Sequence, residues 1–328
     1  MRLSRFRPAA MLATCLTVVG CEGAAISPEV EVTPNFARPG ADAVIAPAAS
    51  TIAELARRVD DFNATLEANG SSIRLDYPWM FVVGGGTDPF QQLRTGSRWT
   101  TSDPEYILDA SDFTTDLAPA EVDATLMSAF DSWNAVPQSR LTAHRVADSG
   151  GNIDVLDGLY DRSGNCVSLY DLASPNLDFG AGLIFPEADI VVGGWVPAEY
   201  FSQCLGSEDI IGVTWTFSDV DSDGDNYRDR LYVEQFYNPA FTWVTSGATF
   251  LNFGLMDLET IAAHENGHAH GLGHFGGPLA RQPFKLKPNG RVFNPEAVMN
   301  PFYLGGEDRS LHPTDVAALQ TLYAGNTP

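Results

Sequence analysis

The sequence is short of positive charge, of cysteine and of long apolar runs. Only 19 Lys and Arg stand against 42 Asp and Glu, leaving a formal net charge of −23. A surface of that sign repels phosphate backbones, which excludes nucleic acid as an expected partner. The apolar run near the N-terminus, Ala9 to Gly20, is twelve residues long. Spanning a bilayer takes about 20, so a transmembrane anchor is not expected. No internal repeat is present. What remains is an ordinary globular composition, 44% hydrophobic and 11% aromatic over 328 residues, enough for a sizeable core.

The N-terminus has the form of an export signal. Arg2, Arg5 and Arg7 precede the apolar run, which ends Val18-Val19-Gly20-Cys21. That ending resembles a bacterial lipobox, in which the Cys becomes the lipidated new N-terminus; a plain secretory signal is the alternative. The expectation is a signal peptide over residues 1–20 and a membrane-anchored lipoprotein, periplasmic or at the cell surface, otherwise a secreted protein. Cys15 would leave with the signal and Cys21 would carry lipid. Cys166 and Cys204 then remain in a compartment that permits oxidation, and a disulfide between them is expected, with two free thiols as the alternative.

Residues 21–50, rich in Ala, Pro, Glu and Val without periodicity, are expected to be a flexible tether. Residues 51–93 hold a helix from Thr51 to Asn69, with Ile52, Leu55, Val59, Phe62 and Leu66 on one face and a capping box from Thr51 and Glu54. This part is either a pro-segment or a helix packed on the main domain. Tyr77 to Val83 is strand-like. Residues 94–328 carry the mixed pattern of an α+β domain. Strands are expected within Trp99–Leu108, Leu141–Val146, Ala188–Val192 and Ile210–Phe217. Helices are expected from Pro119 to Trp133, after the cap Asp257, and from Pro313 with Val316, Leu319 and Leu322 on one face.

Four of the six histidines fall within Thr260–His274. His264 and His268 are four apart, which places both imidazoles on one helix face where they can share a Zn²⁺. Glu265 follows the first directly, where a general base is expected. Gly271 can take a left-handed conformation and turn the chain so that His274 becomes a third ligand. Three protein ligands leave one position open, the mark of a catalytic site. His270 is expected in the second shell or at the surface.

The pattern His264-Glu265-x-x-His268-x-x-Gly271-x-x-His274, followed by Ala297-Val298-Met299-Asn300-Pro301, resembles the metzincin metallopeptidases, and within them bacterial matrixin-type proteins. The stretches Ala120–Trp133 and Asp315–Tyr323 are similar to their first and last catalytic-domain helices. The resemblance implies a twisted mixed sheet, a zinc-binding active-site helix and a Met-turn at Met299. It implies a zinc-dependent endopeptidase acting on protein or peptide substrates, with Glu265 taking the proton of a metal-activated water. Asn300 departs from the Tyr that matrixins usually carry after the Met. No cysteine-switch motif precedes the catalytic region, so any latency uses another device. A surface adhesion or binding lipoprotein that keeps this fold without turnover is the competing expectation.

A second cation site is suggested by Asp219, Asp221, Asp223 and Asp225, which present oxygens at alternate positions, with Gly224 at the sharp turn. This resembles the first half of an EF-hand loop and implies structural Ca²⁺. Arg230 stands where the closing Glu would be, and Asp229 is the nearest substitute.

Overall fold

The structure is a computed structural model of the chain and describes residues 49–83, 90, 96–110, 116–148, 188–276 and 295–323. All of these lie in the compact unit Ala41–Pro328. The expected signal, the lipidation site Cys21, most of the tether and Cys166 fall outside them. No helix among the described residues is long and apolar enough to cross a membrane.

The N-terminal helix forms and starts earlier than its sequence signal. Helix α1 spans Ala49–Ala68, and Leu55, Val59, Phe62 and Leu66 are buried on one face. Thr51 therefore lies inside the helix, and the expected capping box gives way to a different use of Glu54. Its carboxylate pairs with Arg57 and Arg58, one turn on.

Two strands follow, β1 (Arg74–Leu75) and β2 (Trp79–Val83), then β3 (Ser97–Arg98) and β4 (Glu105–Leu108). Helix α2 spans Pro119–Asn134, with Pro119 at its first turn, where its missing N–H costs nothing. Further along come β5 (His144–Arg145), β6 (Ile190–Trp195), β7 (Ile210–Asp219) and β8 (Arg228–Tyr237). A short π-helical turn, Tyr200–Leu205, lies between β6 and β7. Strands β9 (Trp243–Val244) and β10 (Met256–Asp257) pair only with each other. Helix α3 (Leu258–Ala269), strand β11 (Phe302–Tyr303) and helix α4 (Pro313–Leu322) complete the described chain.

Among the described residues, nine strands form one mixed sheet along the path β11-β2-β7-β8-β6-β4-β5, with β1 also on β7 and β3 on β8. β7 and β8 are an antiparallel hairpin, while β8, β6, β4 and β5 run parallel. Strand β8 has no counterpart in the sequence expectations. Its Arg230, Glu234 and Gln235 are buried, which disguises a central strand as a polar segment.

Each sheet face has its own core. One cluster joins the sheet to α2, α3 and α4 through Phe130, Trp133, Val192, Val233, Ile261 and Leu319. The other joins it to α1 and the π-helical turn through Phe62, Met80, Tyr200, Trp215, Phe217 and Phe236. The α+β class and the mixed sheet are as expected from the sequence.

Candidate metal centre

Helix α3 starts where its cap requires. The Asp257 carboxylate accepts from the backbone N–H of Thr260 at 2.9 Å and from its hydroxyl at 2.7 Å. Three further turns carry His264 and His268 on one face. Gly271, with φ +99°, reverses the chain and returns His274 to the same point. The three Nε2 atoms are 3.0, 3.1 and 3.1 Å apart.

The separation between His264 and His268 is not a hydrogen bond. His264 Nδ1 lies 2.7 Å from the carbonyl of Val298, and His268 Nδ1 lies 2.8 Å from that of Leu272. Carbonyls only accept, so both Nδ1 atoms carry the proton and both Nε2 atoms present lone pairs. Lone pairs that converge in a buried place repel unless a cation lies between them. Tetrahedral ligands at 2.0–2.1 Å would sit about 3.3–3.4 Å apart, within about 0.3 Å of what is observed. The donor set thus fits a small divalent cation, and His264, His268 and His274 together can hold one. Burial and the neighbouring His274 push His264 well below the usual imidazole range, so protonation does not relieve the crowding.

Glu265 points from α3 towards β7. The Thr214 hydroxyl donates to its Oε2 at 2.5 Å, and Oε1, lying over Gly212, has no hydrogen-bond partner. Burial pushes its carboxyl up to about 8, against the pull of the Thr214 hydroxyl. A cation on the adjacent imidazoles favours the carboxylate.

Met299 packs so closely against α3 that a Cβ on Gly267 would clash with its sulfur and would sit 2.8 Å from the Trp133 ring. Gly267 is therefore a close-approach residue, a role its position between the ligands did not announce. Trp133 Nε1 donates to the Ala263 carbonyl and Trp99 Nε1 to that of Ala269. The fully buried Arg230 donates to the carbonyls of His268 and Ala269, closing the helix end with a positive charge.

Asp315 was not foreseen either. Its buried carboxylate accepts from the backbone N–H groups of Val298, Met299 and His312 at 2.9–3.2 Å. It ties α4 to the loop whose Val298 carbonyl aligns His264. Asp315→Ala leaves two buried donors and one part-buried donor without this acceptor and is expected to lower stability by about 3 kcal/mol. It should also weaken metal binding by about 10–100-fold through His264. Chemical denaturation and a metal titration check this, and unchanged affinity would mean the loop needs no such tie.

The imidazoles are covered from the sheet side. The Trp79 ring stacks on His268, with centroids 4.7 Å apart, and meets His274 edge-on at 5.1 Å. Phe81 stacks on His264 at 3.8 Å. His264, His268 and Glu265 are 0% exposed and His274 is 7% exposed.

His270 does not join the cluster. It is buried beside Phe130 and Trp133, and burial with the nearby Arg230 pushes it down to about 3. It is a neutral core residue, which corrects the surface option.

In the acidic loop, Asp221, Asp223 and Asp225 offer oxygens within 4.8 Å of one another. Asp219 instead accepts from the backbone of Val220, and Asp229 from Ser222. Arg98 is paired with Asp225 and lies 4.0 Å from Asp223. Cys204 is disulfide-bonded; its expected partner, Cys166, is outside the described residues. No protein-family model matches the chain, and no curated protein matches it.

Proposed function

We propose that the chain is a zinc-dependent endopeptidase with the metzincin arrangement, in which His264, His268 and His274 hold the cation and Glu265 is the general base. The observation that carries the reading is the convergence of three imidazoles, His264 and His268 from helix α3 and His274 from beyond the Gly271 turn, beside the carboxylate of Glu265. When bound, Zn²⁺ would supply a Lewis acid that acidifies water and polarises a peptide carbonyl. The protein's own residues do the rest. Val298 and Leu272 fix the ligand tautomers, and Thr214 holds Glu265 by one oxygen, leaving Oε1 to take a proton from the attacking water. As the new C–O bond forms and the C–N bond breaks, Glu265 returns that proton to the departing amine nitrogen. Met299 serves as the hydrophobic base in the manner of a Met-turn.

Export and lipid anchoring through Cys21 are part of the same proposal, as is Ca²⁺ at Asp221, Asp223 and Asp225. Calorimetry near millimolar Ca²⁺ is expected to detect binding there, and a flat trace removes that site. One observation favours the competing reading of a binding protein without turnover: the ligands and Glu265 are covered. Metal analysis of the purified protein, paired with casein zymography with and without a chelator, separates the two. About one zinc per chain and a chelator-sensitive clear band are expected from a peptidase; metal without a band would favour binding alone.

A further inference from the structure

We propose that β2 is a stand-in for an extended peptide, lying in the slot between β7 and β11, and that the chain stays closed until β2 leaves. The identity of the peptide that replaces it rests on the peptidase reading; the cover itself does not.

The backbone defines the slot. β2 runs antiparallel to β7, pairing Trp79 with Thr214, Met80 with Val213 and Phe81 with Gly212. On its other side it runs parallel to β11, pairing Phe302 with Val82 and Tyr303 with Val83. Without β2, both neighbours would present unpaired N–H and C=O groups across a gap one strand wide. Only another extended backbone satisfies both edges at once, which makes a peptide strand the ligand of this slot.

Side-chain alternation places the slot over the metal centre. Successive strand residues face opposite ways, so Trp79 and Phe81 point together at α3 while Met80 enters the opposite core. Their rings lie on the imidazoles, and no carbonyl of another chain can approach while they do. Phe81 also lines a cavity of about 320 Å³ with Thr260, Val298, Asn300 and Tyr303. Once the ring is gone, this cavity would join the centre and receive a side chain of the incoming peptide.

The strand is also built to yield. Its ladder with β7 is interrupted between Phe81 and Val82, where Ile211 is an extra residue on β7. Met80 is its own anchor in the opposite core, and the segment before it is anchored separately. Leu75 and α1 belong to the opposite core, and Asp76 is held by the Thr216 carbonyl and the Ser218 hydroxyl. These can stay in place while β2 swings out.

The test uses the full chain loaded with Co²⁺ or Zn²⁺, comparing wild type with Trp79→Ala/Phe81→Ala. The double variant is expected to lose metal to a chelator, and to hydrolyse a quenched fluorescent peptide, at least about tenfold faster than wild type. In wild type, a peptide hydroxamate is expected to bind while amide exchange at residues 80–82 speeds up. Equal metal-release rates in a folded variant, or hydroxamate binding with those amides still protected, would overturn the proposal. If the variant does not fold, the exchange experiment on wild type decides. Faster metal release without hydrolysis in either protein supports the cover and contradicts the peptidase reading instead.

Discussion

Glu265→Gln is expected to cut peptide hydrolysis by about 100- to 10,000-fold while leaving the metal content unchanged. Gln matches Glu in size and can still accept from Thr214, so the helix and its ligands keep their places. What it lacks is the capacity to take a proton. The comparison is best made in the Trp79→Ala/Phe81→Ala background, where low turnover cannot be blamed on the covering strand. Retained activity there would move the base to another residue. The same substitution has a second readout that needs no catalysis. Burial raises Glu265 from 4.5 to about 8, so the folded metal-free chain keeps a proton that the unfolded chain has released. The contribution of Glu265 to stability is then fully present below pH 4.5 and is lost as pH rises through about 8. Metal-free Glu265→Gln carries no such penalty. It is expected to be the more stable protein above pH 8 and to lose that advantage below 4.5.

Metal removal is expected to destabilise the chain, and His268→Ala to abolish the difference. A cation bound only by the folded state adds about 4 kcal/mol when free metal is a thousandfold above its dissociation constant. The three Nε2 atoms, 3.0–3.1 Å apart, exist as a set only in the folded chain, so the unfolded chain offers no comparable site. Removal also leaves buried lone pairs facing one another beneath Trp79 and Phe81. Thermal melts with and without a chelator measure the gap. Identical melts for wild type would mean that no cation is held; a gap preserved in His268→Ala would place the metal elsewhere.

The local signals were legible in the sequence and the distant ones were not. Spacing alone located α3, its Asp257 cap, the Gly271 turn and the converging histidines, because a helix and one left-handed residue determine them. Periodicity located α1, α2 and α4, whose buried faces recur every three or four residues. Strand β8 escaped because it buries Arg230, Glu234 and Gln235, and the partners of Arg230 lie on α3 and β3, which no local pattern encodes. Asp315 lies in the first turn of α4, and only the fold brings it to Val298 and Met299. Trp79 and Phe81 read as ordinary strand residues. Their role comes from lying across imidazoles nearly two hundred positions later in the chain. The tight spot at Gly267 is likewise a tertiary fact, set by Met299 and Trp133.

Zinc-edge X-ray absorption on the purified full chain bears most directly on the centre. One zinc with three imidazole nitrogens at about 2.0–2.1 Å and one oxygen neighbour is expected. A closed shell of four protein nitrogens or sulfurs, or a protein that takes up no zinc, would contradict it.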